Sequence, residues 1–110
     1  MNESDPAETD LPCPPAPVFR DGVSSELRIV NRKGLHARAT AKFVQCVERF
    51  DAEVTVTRCG ETVGGLSIMG ILTLGAGIGT TITVSARGPE AADCLSAITS
   101  LVANRFGEDE

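Results

Sequence analysis

The sequence predicts an α+β fold, a two-layer open-faced sandwich in which three helices cover one face of a four-stranded antiparallel sheet. Two observations support this class. Short segments alternate polar and apolar residues, which is typical of strands with one face in water, and longer segments repeat apolar residues at helical spacing. They follow one another in the order βαββαβα, which favours two separate layers. A chain of 110 residues has room for one small domain.

The first predicted elements are a strand and an amphipathic helix. Residues 25–31 form the strand, with Leu27 and Ile29 on one face. Residues 37–49 favour a helix, because apolar residues recur there at three- and four-residue spacing. The members of this apolar stripe are Ala37, Ala41, Val44 and Val47.

A hairpin and a short helix are predicted next. Residues 53–57 alternate as a strand, and a turn at residues 59–61 leads into a short strand around residues 62–63. Ser67 can cap a short helix over residues 68–74, which the following glycines would end. Within this helix we expect Met69 to be exposed and Ile71 and Leu74 to be core residues.

The last predicted elements are a strand and the most strongly amphipathic helix of the chain. Residues 80–86 alternate again, with Ile82, Val84 and Ala86 facing inward. Pro89 is placed to begin the final helix. The apolar face of that helix comprises Ala91, Cys94, Leu95, Ile98, Leu101 and Val102.

The net charge of −5 is unevenly distributed along the chain. Residues 1–22 hold five acidic residues, one basic residue and five of the six prolines, so we predict a disordered acidic leader. Residues 108–110 are all acidic and are predicted to be a solvated tail. The predicted domain, residues 23–107, has nine basic and seven acidic residues, a net of +2. The charge of the domain therefore does not exclude an anionic partner.

The leader also bears on location. It lacks the basic and apolar regions of a secretory signal, and no apolar run approaches the ~20 residues of a membrane span. We therefore expect a cytoplasmic protein with no membrane partner.

The cysteines and the glycine-rich segment are ambiguous features. Three of the widely spaced cysteines could join the single histidine around zinc, but zinc sites usually contain one close ligand pair. We therefore expect no metal and four reduced thiols: Cys13, Cys46, Cys59 and Cys94. The glycines of residues 75–79 follow a helix and precede a strand, which reverses the dinucleotide-binding arrangement. We expect them to be a connector with positive backbone φ angles.

The chemically suggestive residue is His36, the only histidine, which immediately precedes a predicted helix. Backbone N–H groups are unpaired at a helix start, and the helix dipole favours an anion there. An imidazole in this position could accept a phosphoryl group and hold it against amides and a guanidinium. The alternative is a capping or surface histidine. Its basic neighbours in sequence are Arg32, Lys33, Arg38 and Lys42.

Two sequence blocks resemble the HPr family, the histidine phosphocarriers of the bacterial phosphotransferase system. Residues 34–38 read Gly-Leu-His-Ala-Arg, and residues 41–44 read Ala-Lys-Phe-Val, like the active-site segment of that family. Residues 66–75, Leu-Ser-Ile-Met-Gly-Ile-Leu-Thr-Leu-Gly, resemble its regulatory-serine segment. The separation of His36 from Ser67 fits the family without a gap. The resemblance covers about residues 25–106.

The resemblance implies a carrier rather than an enzyme. His36 would accept a phosphoryl group on Nδ1 from enzyme I and pass it to an EIIA-type protein, with no cofactor and as a monomer. Arg38 would pair with the phosphate, and the backbone amides of Ala37 and Arg38 would bind it. Ser67 would be a regulatory site for HPr kinase/phosphorylase. The implied partner-docking residues are Ile68, Met69, Leu72, Thr40 and Lys42.

Two positions depart from the common family pattern. Ala39 stands where a proline often follows the arginine, and Leu66 stands where a lysine commonly precedes the serine. Leu66 removes a charge that could attract a phosphate. Both residues resemble the nitrogen-related branch of the system, which serves regulation more than sugar transport.

Two other functions compete with the carrier. A small α/β module could bind a metabolite or RNA on its open sheet, but RNA recognition needs exposed aromatic residues. None of the four phenylalanines lies in a predicted strand, so we expect no nucleic-acid partner. A small hydrolase or nuclease could use His36 as a base, but no neighbouring acid or nucleophile is recognisable.

Overall fold

The computed structural model describes residues 13–110. These residues form the α+β sandwich that the sequence predicts, in the order βαββαβα. The strands are β1 (Val23–Arg28), β2 (Glu53–Arg58), β3 (Glu61–Gly64) and β4 (Thr81–Arg87). The helices are α1 (Ala37–Glu48), α2 (Ile68–Thr73) and α3 (Ala91–Ala103), and a 3₁₀ turn covers Arg105–Gly107. Among residues 13–110, every helix is too short or too polar to cross a membrane.

The sheet has the order β1-β4-β2-β3, and all neighbouring strands are antiparallel. Alternation along the strands places one set of side chains inside and the other in contact with water. Helix α3 contacts β1 and β4, α2 contacts β3, and α1 contacts both α2 and α3. The largest fully buried side chains of the core are Ile29, Phe43, Ile71, Ile82, Ile98 and Phe106.

The predicted boundaries of β1 and α3 differ from those of the structure in ways that its hydrogen bonds explain. Strand β1 runs from Val23 to Arg28, and Ile29 still donates its N–H to the Thr80 carbonyl at 2.9 Å before the chain turns away. Helix α3 begins after Pro89, because the next residue is tied to another loop. Glu90 donates its N–H to the Asp51 carbonyl at 3.1 Å, and its carboxylate accepts the Asp51 N–H at 2.6 Å.

Part of the predicted leader contacts the outward face and edge of the sheet. A disulfide joins Cys13 to Cys59 in the turn between β2 and β3. The N–H of Phe19 donates to Ser85 Oγ at 2.9 Å, and the Arg87 guanidinium lies 4.5 Å from the Phe19 ring centre. The leader therefore has defined contacts from residue 13 onward. Residues 1–12, over which the prediction of disorder also extends, lie outside the described residues.

The disulfide corrects the expectation of four reduced thiols. Cys13 and Cys59 are oxidised, whereas Cys46 and Cys94 are free and buried in the core. The two bonded cysteines are separated by 46 residues. No local spacing pattern marks such a pair, so only the fold brings the two sulfurs together.

Candidate functional site

His36 caps the N-terminus of α1. Its backbone is extended, and its Nδ1 accepts the N–H of Arg38 at 3.3 Å. The His36 carbonyl accepts the N–H of Thr40 at 2.8 Å and so begins the hydrogen-bond ladder of the helix. Because Nδ1 accepts this bond, its lone pair points toward the helix start. An imidazole cap thus places a nucleophilic nitrogen where a helix favours an anion.

The other ring nitrogen of His36 contacts the acidic tail (residues 108–110). Nε2 lies 2.6 Å from Glu108 Oε2, and the side chains of His36 and Glu108 are only 26% and 15% exposed. A carboxylate can only accept here, so Nε2 carries the proton and donates it. The two ring contacts together select the tautomer with the proton on Nε2 and an unprotonated Nδ1.

Glu108 is itself held by a second residue. Its Oε1 accepts the side-chain N–H of Asn31 at 3.1 Å. The hydrogen bonds from His36 and Asn31 hold the pKa of the Glu108 carboxyl below its ordinary value of 4.5. The group is therefore an anion at neutral pH.

The loop before His36 is held in place on both sides. The buried Asn31 side chain donates to the Gly34 carbonyl at 2.9 Å, and the Leu35 N–H donates to the Ala76 carbonyl at 2.9 Å. Gly34 has φ +65°, and a Cβ there would lie 2.5 Å from the Ala76 oxygen. The connector of residues 75–79 therefore packs on this loop. Two of its three glycines have positive φ, as predicted.

The predicted basic residues share a cleft with the acidic tail. Within it, Arg32 pairs with Glu110 at 2.7 Å, and Lys42 Nζ donates to the Phe106 carbonyl at 2.6 Å. Arg38 is exposed, and none of the ion pairs within residues 13–110 involves it. Its guanidinium is therefore available to an added anion. The residues that line the cleft are Arg32, Lys33, Arg38, Lys42, Gly107, Glu108, Asp109 and Glu110.

Ser67 caps the short helix α2. Its Oγ accepts the N–H of Gly70 at 3.1 Å, and the side chain is exposed. Met69 is 71% exposed, whereas Ile71 and Leu74 are buried, which confirms those three predictions. Ile68 is also exposed and Leu72 is half-buried, so we define the apolar patch as Ile68, Met69 and Leu72.

Two of the predicted docking residues have other contacts. Thr40 is fully buried, and its Oγ1 donates to the Leu35 carbonyl at 3.2 Å. Its side chain cannot reach a partner, so we withdraw it from the docking residues. Lys42 remains half-exposed while its amine holds the Phe106 carbonyl.

Sequence reasoning missed Asn31 and Glu108. Asn31 lies five residues before His36 without a marked motif, and Glu108 lies 72 residues after it. The only signal for Glu108 was a run of three acidic residues, which is more often a solvated end.

The zinc alternative requires several ligand side chains to lie close together. Among residues 13–110, no group of three or more His, Cys, Asp and Glu side chains could hold a metal ion. Cys13 and Cys59 are joined to each other. Burial raises the pKa of the Cys94 thiol to about 11, so it stays protonated and is a poor ligand.

Comparisons with known proteins identify the family to which the chain belongs. Residues 23–104 match the family described as the PTS HPr component phosphorylation site. A phosphocarrier protein HPr from Cupriavidus necator is 46% identical over 82 residues, which cover 74% of this chain and 92% of the relative. One from Neisseria meningitidis is 41% identical over 88 residues, which cover 80% and 99%.

Solved structures show the same fold. The crystal structure of HPr-C-His from Thermoanaerobacter tengcongensis has a TM-score of 0.77 and 34% identity, covering 80% of this chain and 99% of that one. An HPr from Bacillus anthracis has a TM-score of 0.71 and 37% identity, covering 74% and 96%. The fold and these relatives define a phosphocarrier of the phosphotransferase system rather than a catalyst. The chain belongs to the HPr family.

Proposed function

We propose that this protein accepts a phosphoryl group on His36 Nδ1 from enzyme I and transfers it to an EIIA-type protein. The geometry of Nδ1 is the observation that supports this most directly. Its lone pair faces the N-terminus of a twelve-residue helix, and the proton of the ring resides on Nε2. A nucleophile and an anion-binding site therefore coincide at one atom.

In the proposed step, the Nδ1 lone pair attacks phosphorus and an N–P bond forms. The bond from phosphorus to the donor breaks, and its electron pair stays on the donor. Attack ends the contact between Nδ1 and the Arg38 N–H, which can then donate to a phosphoryl oxygen. The Ala37 N–H at the start of the helix supplies a second donor. The cap of α1 is thereby exchanged for a phosphate contact.

The Arg38 side chain provides the charge for this anion. It is exposed beside the helix start, and its planar guanidinium can bind two phosphoryl oxygens at once. Arg32 and Lys42 already have partners in the acidic tail and the 3₁₀ turn. Among Arg32, Arg38 and Lys42, the loss of Arg38 should therefore weaken phosphorylation most.

The apolar patch provides a surface for the two partners. Ile68 and Met69 are exposed large apolar side chains on α2, which packs against α1, the helix that carries His36. Exposed apolar groups next to charged ones are typical of protein interfaces. We propose that enzyme I and the EIIA-type acceptor both use this patch together with Lys42, in turn.

Ser67 is proposed as the site at which HPr kinase/phosphorylase modifies the carrier. Its exposed Oγ adjoins the patch residues Ile68 and Met69. A phosphoserine adds about −1.5 to −2 charges, which would repel an acidic partner and oppose burial of the patch. Modification should therefore slow phosphorylation of His36.

We also propose that the carrier acts as a cytoplasmic monomer. Transfer in either direction needs the patch and His36 to be free for a partner. The identity of the acceptor distinguishes sugar transport from the nitrogen-related branch, so transfer to purified EIIA-type proteins of both kinds decides between them.

Incubation with phosphoenolpyruvate and enzyme I tests the function. We expect an acid-labile, base-stable phosphoryl group that is absent from His36→Ala. Gln45→Ala is the matched control, because Gln45 is an exposed residue of the same helix. Equal labelling of His36→Ala and the control, or no labelling of any protein, would overturn the proposal.

The RNA-binding alternative gains no support from the described residues. Phe43 and Phe106 are buried, and Phe19 and Phe50 are half-buried. None of these phenylalanines lies in a strand. The sheet therefore presents no aromatic platform for bases.

A further inference from the structure

The imidazole of His36 is held from both sides. On one side Nδ1 accepts the Arg38 N–H at 3.3 Å, and on the other Nε2 donates to Glu108 at 2.6 Å. The first contact is lost when Nδ1 reacts, whereas the second can persist throughout. Glu108 is thus the partner that accompanies the ring through the reaction.

We propose that Glu108 is a positioning residue for phosphoryl transfer. Its carboxylate keeps the proton on Nε2, so that Nδ1 stays unprotonated, and it neutralises the positive charge that the ring gains. This inference rests on the proposed function. It assigns a role to the acidic tail, which the sequence alone predicts to be a solvated end.

The carboxylate is held at the ring by the surrounding structure. Phe106, two residues earlier, is only 1% exposed, and its carbonyl accepts from Lys42 Nζ at 2.6 Å. Two residues after Glu108, the Glu110 carbonyl accepts the Arg32 N–H at 2.9 Å. The chain is therefore anchored on both sides of Glu108. Asn31 fixes the second carboxylate oxygen at 3.1 Å.

The charges around this pair favour an ionised carboxylate. Lys33 acts on Glu108 through space in the same sense as the two hydrogen bonds. The other charged groups that line the cleft are Arg32, Arg38, Lys42, Asp109 and Glu110. An anionic Glu108 can accept a hydrogen bond from Nε2 but cannot donate one. This excludes the tautomer in which Nδ1 carries the proton and Nε2 does not.

The proposed role follows from the electron balance of the step. As the Nδ1 lone pair becomes the N–P bond, the ring still carries the Nε2 proton and becomes cationic. The nearby carboxylate stabilises this cation, and the proton does not need to leave. In the reverse transfer to the acceptor, the electron pair returns to Nδ1 and the Nε2–H bond remains intact.

A different role for the same contact is inhibition. In that case the tail would occupy the basic cleft as a mimic of a phosphate and would have to leave before phosphorylation. The two roles predict opposite rate changes when the Glu108 charge is removed. Positioning predicts a slower reaction, and inhibition predicts a faster one.

The test compares Glu108→Gln with Glu110→Gln. Both variants remove one negative charge from the same tail, but Glu110 pairs with Arg32 and not with His36. Glu108→Asp keeps the charge at a longer distance. The first measurement is the ¹⁵N chemical shifts of the His36 ring nitrogens at neutral pH. The second is the initial rate of phosphorylation by enzyme I and phosphoenolpyruvate.

We expect Glu108→Gln to mix the ring tautomers and to slow phosphorylation by about 10- to 100-fold, the range found when a metal-bound histidine loses its orienting carboxylate. Glu108→Asp should recover part of the rate, and Glu110→Gln should match the wild type in both measurements. An unchanged tautomer and rate in Glu108→Gln, or a faster rate, would overturn the inference while leaving the carrier function intact. If no protein is labelled, the proposed function fails, and the ring shifts still decide whether Glu108 sets the tautomer.

Discussion

Ser67 has two separable roles in the structure, which a pair of substitutions can distinguish. Its Oγ accepts the Gly70 N–H at 3.1 Å as the N-cap of α2, and it is also the proposed site of added charge. Ser67→Ala removes the cap without adding charge. Ser67→Asp retains a good capping acceptor and adds a negative charge beside the apolar patch.

The magnitudes follow from the cap. Loss of a serine N-cap costs about 1 kcal/mol, within a range of roughly 0.5–2 kcal/mol. For a domain of this size, 1 kcal/mol lowers the melting temperature by about 4–8 °C. Ser67→Asp should therefore melt close to the wild type, whereas Ser67→Ala should melt several degrees lower.

Phosphorylation should show the opposite order. Ser67→Ala keeps the exposed patch, so enzyme I should label it at the wild-type rate at a temperature where it is fully folded. Ser67→Asp should be labelled more slowly, because its charge opposes docking. Thermal unfolding followed by circular dichroism and initial labelling rates measure the two effects. Equal labelling of Ser67→Asp and the wild type would refute the electrostatic explanation, and equal melting of Ser67→Ala and the wild type would refute the capping role.

Three further predictions concern the core, the leader and the pH dependence. Phe106→Ala removes a buried ring that anchors the acidic tail; it should lower the free energy of unfolding by about 3–5 kcal/mol in chemical denaturation, and a change within error would contradict the packing. Cys13→Ser opens a cross-link between residues 46 positions apart, so the free energy of unfolding should fall by up to about 4 kcal/mol relative to the oxidised protein, but not relative to the reduced protein. The pKa of the Glu108 carboxyl is lowered by folding, so its stabilising contribution is complete above the ordinary value of 4.5 and is lost as the pH falls through the folded value. The unfolding free energies of wild type and Glu108→Gln should therefore differ at neutral pH and converge in acid; a difference independent of pH would contradict this.

The sequence predicts the parts of the site that depend on local pattern. His36 precedes a helix whose apolar spacing is strong, and its capping position follows from that alone. The same apolar spacing indicates that Thr40 is buried, although the resemblance to the HPr family implied an exposed docking residue. Thr40 is three, four and seven residues before Phe43, Val44 and Val47, so it shares their buried face.

The remaining parts depend on contacts that no local pattern specifies. Glu108 reaches His36 because the chain turns sharply after α3, where Arg105 and Phe106 both adopt positive φ angles. Residues other than glycine rarely adopt positive φ angles. Burial of the Phe106 ring compensates for the energetic cost of this backbone conformation. The link from Cys13 to Cys59 likewise depends on the path of the leader across the sheet. Composition alone indicated a solvated segment there.

The position of the phosphoryl group on the His36 ring tests the central claim most directly. Phosphorus–nitrogen couplings measured by NMR on ¹⁵N-labelled protein, after reaction with enzyme I and phosphoenolpyruvate, distinguish Nδ1 from Nε2. The structure predicts phosphorylation of Nδ1 alone, with the proton retained on the Nε2 that faces Glu108. A phosphoryl group on Nε2, or on any residue other than His36, would contradict the account.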